Sequence, residues 1–88
     1  MNVSQTLIRF AKARERAYRS AGKVNLAKMA AISKIKTVAD YVSNTSEATQ
    51  LRAIRQVESE ILLILPHEQS RFSKLREKIL NLIQQSHD

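Results

Sequence analysis

The 88 residues suffice for a single helical domain over 1–88, and a chain of this size buries about two-thirds of its unfolded surface on folding. With Gly22 and Pro66 as the only residues of their kinds, a many-stranded fold lacks the tight turns it needs, so an all-α architecture is expected. No cysteine is present, which excludes disulfides and thiolate metal sites, and the longest apolar run, Ile61 to Leu65, is far below the roughly 20 residues of a membrane span.

The net charge of +7 is unevenly placed. Residues 1 to 41 hold nine Lys and Arg against Glu15 and Asp40, whereas residues 42 to 88 hold six basic and six acidic residues. All of the excess therefore falls in the first half, which implies an oriented electrostatic surface. Near the N-terminus, Val3, Leu7, Ile8 and Phe10 are interleaved with polar residues and the arginines come afterward, unlike the basic-then-apolar order of a signal peptide. A cytoplasmic location is the default expectation.

The first helix is expected over about residues 4–21, because Val3, Leu7, Phe10, Ala11, Ala17, Tyr18 and Ala21 gather on one side at 100° per residue. Gly22 is placed to take the left-handed conformation that ends helices, and Asn25 to cap a second helix over about 25–42. That helix carries Ala31, Ile32, Ile35, Val38, Ala39 and Val42 on one face while Leu26 and Met29 point elsewhere, which implies burial on two sides or a bend near residue 30. Ser43-Asn44-Thr45-Ser46 reads as a loop with Ser46 capping a third helix over about 47–65. Pro66 suits the first turn of a fourth helix over about 67–84, striped by Phe72, Leu75, Ile79, Leu82 and Ile83 and ending in a polar tail.

Short connections favour antiparallel neighbours, so two helical hairpins forming a small four-helix bundle are expected, the pair of helices three and four being the more convincing. The alternative is a three-helix core with a docked or projecting first helix. Arg14 and Glu58 both sit inside apolar faces; they pair across the packing, or Arg14 stands at a partner-binding surface, or each curls out to solvent at the edge of its stripe.

Arg9, Lys12, Arg16, Arg19 and Lys23 follow a 3, 4, 3, 4 spacing that confines them to an arc of about 80° opposite the apolar face, over a length of about 21 Å. A solvated helix face commonly mixes both signs of charge, yet only Glu15 accompanies this stripe. Such a row is suited to the phosphates of nucleic acid, with Lys28, Lys34 and Lys36 as auxiliaries, and positions a protein without specifying sequence. Residues Leu26 to Ser33 echo the turn region of a helix-turn-helix, but Ala31 stands where glycine is usual, so a continuous helix is the simpler expectation. The aromatics Phe10, Tyr18, Tyr41 and Phe72 each look placed for a core, leaving little for base stacking. An anionic membrane surface is disfavoured by an apolar face of alanines without tryptophan.

The rival is a small adaptor or inhibitor that meets an acidic protein surface through the basic stripe or a leftover apolar face, or pairs with a second copy of the chain; Ile8, Leu26, Met29 and Leu63 lie off the main apolar stripes and are the candidates for such a face. Catalysis is not expected: His67 and His87 lack a metal-binding neighbourhood, and Glu58 and Glu60 face different directions on a helix. No glycine-rich phosphate loop or nucleophile elbow can form around one glycine. Neither a cofactor nor a metal is expected. The expectation is a non-catalytic module docking on nucleic acid, with a protein-binding adaptor as the alternative.

Overall fold

The first three helices each begin where a side chain satisfies a free N–H group of the first turn. In the computed structural model, which describes residues 2–85, α1 spans Val3–Ser20 and Asn2 caps it, accepting from the Gln5 N–H at 2.8 Å while the Gln5 side chain accepts from the Asn2 N–H. Asn25 caps α2, Leu26–Tyr41, and Ser46 caps α3, Glu47–Ile64, as the sequence implies. Gly22, just past the end of α1 in the turn to α2, has φ +66, the left-handed conformation that costs glycine least. Single 3-10 turns at Val42–Asn44 and Pro66–Glu68 precede α3 and α4, the latter Gln69–Gln85. The expected start of the fourth helix at about residue 67 therefore falls in a 3-10 turn. His87, assigned to the polar tail, lies outside the described residues.

The four helices close an up-down-up-down ring, 43 × 22 × 20 Å overall. Every neighbouring pair is antiparallel, as the cross-helix contacts show: Glu15 meets Lys36 between α1 and α2, Lys34 meets Glu60 between α2 and α3, Arg76 meets Glu58 between α3 and α4, and Phe10 meets Phe72 between α4 and α1. Side chains from all four helices fill the centre, among them Leu7, Ile35, Ile61 and Ile79. The first helix is thus an integral wall of the bundle rather than a projecting arm. The α1–α2 seam is more extensively packed than the α3–α4 seam.

α2 is one continuous helix through Ala31, with no turn of a helix-turn-helix. Its two apolar faces have different outcomes. Met29 packs against the core, whereas Leu26 is 90% exposed at the helix start. Tyr41, expected in the core, is also exposed, standing over the α2–α3 seam beside Val38 and Ala53. No helix is long and apolar enough to cross a membrane among the described residues.

Candidate functional site

The basic stripe lies on the outer side of α1: Arg9, Lys12, Arg16, Arg19 and Lys23 are all exposed, while Leu7, Ala11 and Tyr18 on the opposite side are buried. Arg19 reaches Glu15 one turn back, at 3.3 Å, and Lys36 reaches the same carboxylate from α2 at 3.2 Å. These two cations hold the Glu15 carboxyl below its usual range, Lys36 contributing most. Lys34 is paired with Glu60 in the same way across the α2–α3 seam, and Lys28 lies over the Tyr18 ring, 4.9 Å from its centroid. The three auxiliaries of α2 are therefore engaged within the fold, and Lys34 and Lys36 serve helix packing.

α4 completes the charged face with residues the stripe alone does not reveal. Arg71, Lys74 and Lys78 are exposed and repeat at 3 and 4, on the side of α4 turned toward α1. Together with Arg9 they rim a groove of about 420 Å³ between the two helices, whose floor is made by Thr6, Phe10, Ala13 and Leu75. Among the described residues no acid pairs with Arg9, Lys12, Arg16, Lys74 or Lys78, and no acid lines the groove. Arg52 and Arg55 are also exposed without an acid partner, but they stand apart on α3.

One end of the groove is closed by a buried cluster. The Arg14 guanidinium donates from Nη2 to Glu68 Oε1 at 2.9 Å, and the Tyr18 hydroxyl donates to the same oxygen at 2.7 Å. Arg71 Nη1 and His67 Nε2 each stand 3.4 Å from it. The Glu68 side chain is 2% exposed and that of Arg14 18%. Burial, and next the neighbouring carboxylate of Glu68, push the Tyr18 hydroxyl above its ordinary pKa, so that it remains a donor. Arg14 Nε and Glu68 Oε2 are buried without partners, leaving hydrogen-bonding capacity in the cluster.

This arrangement corrects the pairing considered for Arg14 and Glu58. Arg14 meets Glu68, and Glu58 instead accepts from Arg76 at 2.7 Å, because the ring places α4 rather than α3 beside this part of α1. The sequence signal for Glu68 is its spacing: positions 68, 72, 75 and 79 form one helical stripe, so Glu68 extends the apolar face of Phe72, Leu75 and Ile79 inward. His67 occupies the turn expected of it and adds a contact to the cluster.

The proposed apolar interface residues separate into two groups. Ile8 and Met29 pack against the core. Leu26 and Leu63 are 90% and 86% exposed, and the antiparallel order brings the start of α2 and the end of α3 to the same end of the bundle, where Val24 and Ile64 are exposed as well. Among the described residues, no group of three or more His, Asp or Glu is disposed to hold a metal ion. Comparison of the chain with protein-family models, with characterised proteins and with solved structures returned no match.

Proposed function

We propose that the protein is a non-catalytic module that docks on nucleic acid, chiefly through phosphates, using Arg9, Lys12, Arg16 and Arg19 of α1 together with Lys74 and Lys78 of α4. The observation that carries this reading is the meeting of Arg9 with Lys74 and Lys78 along one groove, continued by Lys12 and Arg16 on the outer side of α1, with no acid among the described residues pairing any of these five; Arg19 alone of the six meets an acid, Glu15. Like charges held this close repel in the unbound protein, and a polyanion relieves that repulsion. Phosphate contacts of this kind supply affinity without sequence readout.

Titration with duplex DNA, single-stranded DNA and RNA over a salt series tests it. Six neutralised phosphates give a log-log slope of about −5.4 on duplex and about −4.2 on single strands. Absence of binding to all three at low salt overturns the proposal.

A second reading, an adaptor that binds another protein or a second copy of itself, is favoured by the exposure of Leu26 and Leu63 at one end of the bundle. A strictly monomeric molar mass in solution, with no protein captured from the native host, removes it.

A further inference from the structure

We propose that the groove between α1 and α4 receives unpaired bases, so that the ligand of the cationic face is single-stranded nucleic acid rather than duplex. The inference rests on the nucleic-acid reading above and goes further, because phosphate contacts alone give no reason for an apolar floor. Ala13 and the half-buried Phe10 line the groove between the charged rims, with the buried Leu75 beneath them. A duplex keeps its bases stacked inside and presents phosphates outward, which would leave this floor wet. A single strand turns its bases onto the floor while its phosphates meet the rims.

The floor has the character of a stacking surface. Phe10 is half-buried and packs edge-on against Phe72, with ring centroids 5.0 Å apart and planes at 61°. Phe72 is buried, so the Phe10 ring is held in place with its remaining surface turned to the groove. Arg9 and Arg71 add planar guanidinium groups at the rim, and Arg71 is steadied by Glu68 at 3.4 Å.

Length and charge match as well. The groove follows α1 from Thr6 to Arg14, about 12 Å at the helical rise, room for about three bases at the 3.4 Å spacing of a stacked strand. Along that length Arg9, Lys74 and Lys78, none of them paired with an acid, set three positive charges against about three phosphates.

The decisive experiment compares fluorescence anisotropy titrations of an oligothymidylate of about 12 nucleotides with an abasic strand of equal phosphate number and with a duplex of the same length. Polyglutamate serves as a competitor. The thymidylate strand is expected to bind about fivefold or more tighter than the abasic strand at the same salt slope, and tighter than the duplex. Phe10→Leu is expected to lower thymidylate affinity by about fivefold and leave abasic affinity unchanged. Equal binding of thymidylate and abasic strands overturns base insertion while leaving phosphate docking in place. Displacement of the strand by polyglutamate at equal charge concentration also overturns it, since an acidic peptide would then suffice. No binding to any of the nucleic acids removes the underlying reading as well. If Phe10→Leu fails to fold, the comparison of strands on the unaltered protein decides alone.

Discussion

Replacing both Lys74 and Lys78 with glutamine tests the contribution of α4 to the charged face. The two side chains are exposed and meet no acid among the described residues, so their loss should change folding stability by no more than about 0.5 kcal/mol. Their effect on binding should be much larger. Removing two of six phosphate contacts moves the log-log salt slope from about −4.2 to about −2.8 on single strands, and from about −5.4 to about −3.6 on duplex. Between 50 and 200 mM salt, single-strand affinity then falls by about 50-fold in the variant against about 340-fold in the parent. Anisotropy titrations at four or five salt concentrations measure this directly. The control is Lys34→Gln with Lys36→Gln, which removes the same charge from cations already paired with Glu60 and Glu15 and should leave the slope near the parent value. If the α4 variant keeps the parent slope, or if the α2 control changes it as much, the face does not include α4 and the geometric argument fails.

Glu68→Gln should destabilise the fold by about 3 kcal/mol, since it leaves the largely buried Arg14 without its counter-charge, and the midpoint of thermal unfolding should drop by more than about 10 °C. Urea unfolding showing a loss under about 1 kcal/mol would mean that the cluster is not a structural clamp. Gly22→Ala should cost about 1 kcal/mol through its φ of +66 alone, because the space around it is open and an added methyl meets nothing within 4 Å; an unchanged urea midpoint would contradict this. Stability should also fall at both ends of the pH scale. The carboxyls of Glu15 and Glu60 are lowered by Lys36 and Lys34, so their contribution is present above the ordinary carboxylate range and lost as pH falls below it. Tyr18 is raised, so its contribution is present below its ordinary pKa of 10.0 and lost as pH rises past it. A Tyr18→Phe variant should lack that alkaline component, and identical alkaline unfolding profiles for parent and variant would refute the assignment.

The helices and their caps were legible because they depend on neighbours in sequence: Asn25, Ser46, Gly22 and Pro66 act within a turn of where they stand. Which helix lies beside which is a matter of tertiary packing, and there the reading of apolar faces offers Glu58 to Arg14 and passes over Glu68. Both acids interrupt apolar faces, and only the ring order of the bundle selects Glu68. The α4 half of the charged face was hidden differently. Averaging charge over residues 42–88 gives zero, which conceals that Arg71, Lys74 and Lys78 share one side of a helix while Glu68 is buried and Glu58 is turned to Arg76. Leu26 and Leu63 were identifiable as leaving the main stripes, but their meeting at one end follows from chain direction, which periodicity does not encode.

Because the groove is bounded by the first and fourth helices, whose lining residues come no closer in sequence than Arg14 and Arg71, it exists only while the ring is closed. A strand lying across it would act as a clasp between the two walls, and α4 could not peel away without breaking phosphate contacts. Ligand at 100 times its dissociation constant would raise the cost of opening by about 2.7 kcal/mol. Amide exchange at the α1–α4 seam should therefore slow on binding, with α4, whose packing against the other helices is less extensive than that of α1 against α2, gaining most.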